Sequence, residues 1–316
     1  MTGQLPEGTI QLGKTEVSIP PLGSGTWQWG DRMLWGFGGE YTEADAKEAF
    51  YMGLEAGINF FDTAETYGSG RSERILGSCV SEIGQPVIIA TKFVPFPWRF
   101  WRGSLRMALK SSLKRLNVDR IDLYQIHWPL PPMPVEFWAK ELATVVKEGL
   151  TRAVGVSNYT VTQMRRTHAI LAKEGIPLAS NQVEYSLVER SPERNGLMAA
   201  CNELGITLIA YSPLGKGTLT GKYTPEHIPP GIRARRYNRG FLERLQPLIH
   251  KLREIGRAHE SKTPAQVALN WCMCKGTVPI PGPKNARQAH ENTGAVGWRL
   301  TKEEVVILDE ASSRLE

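Results

Sequence analysis

Gly23-Ser-Gly25-Thr-Trp-Gln28 follows the first apolar run of this 316-residue sequence, and its reading separates two α/β architectures. A doubly wound dinucleotide fold places three glycines in its first strand–helix turn, so that the helix begins at once and its N-terminus meets a pyrophosphate. Here Gln28 stands at the third glycine position, and helical periodicity begins only near Thr42. A second near-match, Gly217-Thr-Leu-Thr-Gly221-Lys222-Tyr223, is one residue short of a phosphate loop and ends in Tyr rather than Ser or Thr. Both fail on detail, and a closed barrel becomes the better account.

Outward from that turn, short apolar or β-branched runs recur at Pro21–Thr26, Ile58–Asp62, Val87–Lys92, Ile121–His127, Thr151–Ser157, Ser180–Val183, Thr207–Tyr211 and Thr277–Pro281. Between them lie 3.6-residue patterns. Ala46, Ala49, Phe50 and Leu54 share one helix face, as do Leu105, Leu109, Leu113 and Leu116. Further helices are predicted over Val135–Glu148, Thr160–Glu174, Pro192–Leu204, Leu242–His259, Pro264–Cys274 and Asn285–Gly294. Thr42 with Asp45 and Thr263 with Pro264 are start signals, while Gly57, Gly175 and Gly205 are stops. Parallel strands need crossover helices, and eight such units close a sheet, so the pattern predicts an α/β fold of the (β/α)8 TIM-barrel type. Thr9–Leu12 and Glu16–Ile19 form an expected hairpin before the barrel, and Lys302–Ser312 an extra helix outside it. No linker or repeat divides the chain, so residues 1–316 are expected to make a single domain.

Charged residues are 22% of the chain and the net charge is +6, spread with local clusters such as Arg233, Arg235, Arg236 and Arg239. That suits an anionic ligand better than nucleic acid, which selects a basic stripe. The four cysteines have neither redox nor zinc spacing, so no metal site is expected. No 18-residue apolar run appears, and Met1–Gly8 lacks a leader's basic and apolar parts. The expectation is a cytoplasmic protein, monomeric or weakly self-associating, acting on a small molecule.

Catalytic groups of such barrels stand at the C-terminal strand ends. Asp62, Lys92 and His127 end three successive strands, and Tyr67 lies on the loop five residues after Asp62. Singly, Asp62 reads as a helix cap, His127 as a core histidine and Lys92 as a strand-end surface residue. Together they suggest a proton-transfer device, because a charge leaving an apolar interior is tolerated when paired. A lysine about 4 Å from a tyrosine is worth roughly 4 kcal/mol at an effective dielectric of 20, which is an upper bound on how far it pulls the phenol down. Aromatics crowd the same loops at Trp27, Trp29, Trp35, Phe37, Phe96, Trp98, Phe100, Trp101 and Trp128, and predict an aromatic-lined mouth for an aromatic or planar substrate, with Trp27, Trp98 and Trp128 as its contacts.

At this point the chain resembles the aldo-keto reductase superfamily along essentially its whole length. Gly25-Thr-Trp27, Gly57-Ile-Asn-Phe-Phe-Asp-Thr-Ala-Glu-Thr-Tyr67, Thr91-Lys92, Asp122-Leu-Tyr-Gln-Ile-His127, Val154-Gly-Val-Ser-Asn158, Asn181-Gln182, Tyr211-Ser-Pro-Leu214 and Ile280-Pro-Gly-Pro-Lys284 carry the resemblance. It implies a catalytic tetrad of Asp62, Tyr67, Lys92 and His127, with Tyr67 the proton donor, and NADPH bound in an extended pose. By the same resemblance Gly25, Thr26, Trp27 and Asp62 border the cofactor. Ser157, Asn158 and Gln182 hold the nicotinamide amide, and Tyr211 stacks on its ring. Ser212, Pro213, Leu214, Lys222 and Arg233 hold the pyrophosphate. Gly282, Lys284, Gln288, Glu291 and Asn292 form the adenosine-phosphate site, with Lys284 favouring NADPH over NADH. Pro97-Trp-Arg-Phe and His127-Trp-Pro are most similar to the plant and cyanobacterial branch that includes pyridoxal reductases, which makes pyridoxal a candidate substrate. The alternative is an NADPH-binding redox-sensing subunit resembling potassium-channel β subunits.

Overall fold

A computed structural model describes residues 8–315; of the Met1–Gly8 stretch read above, residues 1–7 lie outside the described residues. Strands β1 (Ile10–Gln11) and β2 (Ser18–Ile19) pair as the expected antiparallel hairpin. There follow β3 (Ser24–Gly25), α1 (Glu43–Glu55), β4 (Phe60–Asp62), α2 (Arg71–Ser81), β5 (Ile88–Phe93), α3 (Ser104–Leu116), β6 (Ile121–Ile126), α4 (Val135–Lys147), β7 (Thr151–Ser157), α5 (Val161–Lys173) and β8 (Leu178–Glu184). The chain continues through α6 (Ser191–Arg194), α7 (Leu197–Leu204), β9 (Thr207–Tyr211), a 3-10 turn at Gly215–Thr220, α8 (Arg233–Arg236), α9 (Arg239–Ala258), α10 (Pro264–Cys274), β10 (Val278–Ile280), α11 (Ala286–Thr293) and α12 (Lys302–Ser313).

Strands β3 to β10 are parallel neighbours in sequence order. Two backbone bonds of 3.0 Å, Gly23 N–H to the Pro279 carbonyl and Gly25 N–H to that of Pro281, join the first strand to the last and close the barrel. A Cβ on Gly25 would lie 2.9 Å from the Ile280 carbonyl oxygen, so this seam requires glycine. Alternate strand residues face inward: Phe60, Ile88, Ala90, Leu123, Ala153 and Ile209 pack with Leu12, Val17 and Ile19 of the hairpin, which plugs the N-terminal end. Their neighbours Phe61, Ile89, Tyr124, Val154 and Leu208 pack against the helices. The plugged floor leaves the opposite rim, where the strands end, as the place for a site.

Four helices start with a reciprocal side-chain and backbone cap, at Thr42/Asp45, Thr160/Gln163, Thr263/Gln266 and Thr301/Glu304. Helix α12 packs on α9, with Asp309 accepting from Trp271 of α10 and from Lys275 just after it. Helix α2 is absent from the periodicity reading. Its buried face carries Ser72 and Glu73 beside Ile75, Leu76 and Cys79, which breaks the apolar stripe, and Gly70 before it offers no capping side chain. The predicted helix over Pro192–Leu204 is two, α6 and α7, separated at Gly196 with a positive φ of 79°. All four cysteines are free. No helix among the described residues is long and apolar enough to cross a membrane.

Candidate active site

Asp62 closes β4, Lys92 is the next-to-last residue of β5, and His127 follows β6 by one position, so parallel pairing brings all three to one rim. Lys92 is fully buried and its three ammonium donors are all engaged: Asp62 Oδ1 at 2.5 Å, the Thr63 carbonyl at 2.8 Å and the Tyr67 hydroxyl at 3.2 Å. The second Asp62 oxygen accepts from Gln182 Nε2 at 2.9 Å and Gln125 Nε2 at 3.2 Å. Behind them, the Thr26, Thr63 and Ser72 hydroxyls form a chain at 2.7 and 2.9 Å that ties the β3 and β4 loops to α2. The Tyr67 ring lies between Trp27, stacked with centroids 6.0 Å apart, and His127, edge-on at 5.7 Å.

Burial pushes the Tyr67 phenol up and Lys92 pulls it back, yet its pKa stands above the ordinary tyrosine value. The lysine's downward pull expected from the sequence is present, and burial outweighs it. The phenol stays protonated at neutral pH, the state a proton donor requires. Burial also pushes the Lys92 ammonium down, but the Asp62 carboxylate and the Tyr67 hydroxyl outweigh it and its pKa is raised. His127 is lowered to about 3, by burial first and by the Lys92 charge second, so its imidazole is neutral. The unfolded chain takes up that proton near pH 6.5, so stability is full above it and falls as pH drops toward 3. His127→Asn should therefore flatten the loss of urea stability between about pH 6.5 and 5 by roughly 1 kcal/mol per pH unit. An unchanged slope would show that His127 takes up its proton as readily in the folded state as in the unfolded one.

The rim opens into a cavity of about 1000 Å³, with Tyr67 and His127 in its wall. Every residue that the resemblance assigns to the cofactor lines this cavity. Lys92 does not, and reaches it only through Tyr67. At one end Asn158 bonds the His127 carbonyl and Ser157 Oγ, and accepts from the Tyr211 hydroxyl at 3.0 Å. At the other end Lys222, Arg233 and Lys284 share the wall: Arg233 and Lys284 lie 5.2 and 5.9 Å from the Trp35 ring centroid, and Lys284 precedes α11, whose first turn is capped by Asn285. Among the described residues Lys222 and Arg233 make no ion pair, and the buried Arg233 Nε and Gln28 Oε1 have no hydrogen-bond partner. The cavity is thus neutral and aromatic at the tetrad and cationic at its far end. That polarity fits an elongated ligand with phosphates on one end only.

Trp27 and Trp128 line the cavity, but Trp98 does not: it is exposed and stacks on Phe96 at 4.7 Å on the loop before α3. Trp29 and Phe37 belong to the core, where Trp29 Nε1 donates to the Pro283 carbonyl. Sequence reading overlooked Gln125, two residues before His127 and hence on the same strand face, although it lies inside a quoted motif. It also overlooked Gln28, Glu40, Tyr41 and Tyr223 in the wall. No local pattern marks these four. Among the described residues no group of three or more His, Cys, Asp or Glu side chains is arranged to hold a metal.

The Aldo/keto reductase family matches residues 21–313. The chloroplastic pyridoxal reductase of Arabidopsis thaliana is 43% identical over 312 residues, covering 94% of this chain and 84% of its own. A thermostable aldo-keto reductase, solved in complex with the inhibitor epalrestat, is 31% identical with a TM-score of 0.74, over 96% of this chain and 99% of its own. A glycerol dehydrogenase from Gluconobacter oxydans is 28% identical with a TM-score of 0.84, over 97% and 95%. A family match running from the first barrel strand into the last helix, on a barrel with a buried Asp62–Lys92 ion pair at its rim, establishes that this chain belongs to the aldo/keto reductase family of oxidoreductases.

Proposed function

We propose that the protein is an NADPH-dependent reductase that converts aldehydes and ketones to alcohols, with Tyr67 as the proton donor. The observation that carries this reading is Lys92 Nζ, bonded at once to Asp62 and to the Tyr67 hydroxyl at the cavity wall. The bound nicotinamide supplies the hydride. Tyr67 gives its proton to the carbonyl oxygen, and the phenolate left behind is stabilised by Lys92 until it is reprotonated from solvent. Asp62 keeps Lys92 charged, while Gln125 and Gln182 keep Asp62 oriented. Neutral His127 orients the carbonyl beside Tyr67. Lys284, Lys222 and Arg233 hold the phosphates at the cationic end, and Ser157, Asn158 and Gln182 the amide.

Planar aromatic aldehydes, pyridoxal among them, suit the Trp27 and Trp128 walls. Trp128→Ala should raise KM for an aromatic aldehyde by about three- to tenfold and leave a small aliphatic aldehyde nearly unchanged, from loss of one ring contact. Equal effects on both would remove the aromatic preference. NADPH consumption across an aldehyde panel that includes pyridoxal tests the whole reading. Tight NADPH binding with no turnover on any carbonyl would favour the nucleotide-sensing alternative instead.

A further inference from the structure

The loop between β3 and α1 crosses the cationic end of the cavity and contributes Trp35, Glu40 and Tyr41 to its wall. Lys284 Nζ donates to the Trp35 carbonyl and to Glu40 Oε2, both at 2.8 Å, and lies 4.7 Å from the Tyr41 ring centroid. The Trp35 ring also has the Arg233 guanidinium 5.2 Å from its centroid. Glu40 feels all three cations: bonding to Lys284, with further pull from Arg233 and Lys222, holds its carboxyl below the usual range. Lys284 has its ion pair with Glu40, whereas Arg233 and Lys222 have none among the described residues. Glu40 is therefore the ion-pair partner of Lys284 and stands in the field of two further cations, Arg233 and Lys222. The Glu40 side chain is 61% exposed, so its carboxylate can turn from Lys284 toward solvent while the loop backbone, held by the Gly36 carbonyl, stays in place.

We propose that Glu40 is a specificity-setting residue for the dinucleotide: its carboxylate occupies the Lys284 cluster until the 2′-phosphate of NADP(H) displaces it. The inference rests on the cofactor reading above. A 2′-phosphate entering the cluster must break the Glu40–Lys284 pair and then remain close to a like charge. A ribose without that phosphate meets neither penalty. Glu40 therefore weakens NADP(H) binding selectively, and higher salt screens the effect because the pair is exposed.

Equilibrium titration of the full chain, read by quenching of tryptophan fluorescence, tests this without turnover. E40Q keeps a polar side chain at an exposed position and should bind NADP+ and 2′-AMP about three- to tenfold more tightly than the unaltered protein, with NAD+ and 5′-AMP within about twofold. On a Lys284→Met background the same change should have no effect, because the contested cation is gone. Unchanged NADP+ affinity in E40Q overturns the proposal. Equal tightening of NADP+ and NAD+ also overturns it, since the loop would then act by bulk rather than charge. If the unaltered protein binds neither dinucleotide, the cofactor reading itself falls, and this inference with it.

Discussion

Phenylalanine at position 67 is expected to lower the single-turnover rate of NADPH with an aromatic aldehyde by about 10²–10⁴-fold, the usual contribution of a positioned acid. The ring that stacks on Trp27 is retained, so the cavity keeps its shape and NADPH affinity should stay within about twofold. His127 is the rival donor, but an imidazole lowered to about 3 carries no extra proton at neutral pH. Rapid-mixing kinetics paired with equilibrium NADPH binding separates the two roles. Retention of turnover within tenfold would end the assignment of Tyr67 as the acid.

The second large effect is on folding. Asp62→Ala leaves the Lys92 ammonium at 0% exposure without its counter-ion, and breaking such a pair costs about 3–5 kcal/mol. The Thr63 carbonyl and the Tyr67 hydroxyl remain as acceptors but carry no full charge. Asp62→Asn combined with Lys92→Met removes both charges together and should recover most of that loss, although activity stays absent. Urea unfolding of the two variants makes the comparison. If Asp62→Ala costs less than about 1 kcal/mol, Lys92 is not held as a buried cation and the proposed tuning of Tyr67 fails with it.

The strand–helix alternation was legible because periodicity is local: Thr151–Ser157, Thr207–Tyr211 and Pro264–Cys274 have the bounds their sequence predicts. Helix α2 escaped the same reading because its buried face is partly polar. Ser72 turns inward to reach Thr26 and Thr63, and Glu73 to reach Thr91 and Arg115. The aromatic mouth was only partly legible, because composition does not say which way a ring turns. Trp27 and Trp128 face the cavity, Trp29 the core and Trp98 the solvent.

By itself, the sequence determined the barrel, the hairpin before it, and the gathering of Asp62, Lys92 and His127 at one rim. Each of these follows from residue period and from position at a strand end. Only the tertiary structure decided the partners and the balance of forces. Gln182 reaches Asp62 across 120 residues of chain, and Glu40 reaches Lys284 across 244. The net direction of the Tyr67 shift depends on how far burial outweighs one lysine, and burial is a property of every element packed around the group. Contacts between distant segments leave no local pattern, so closure of the barrel alone brings them about.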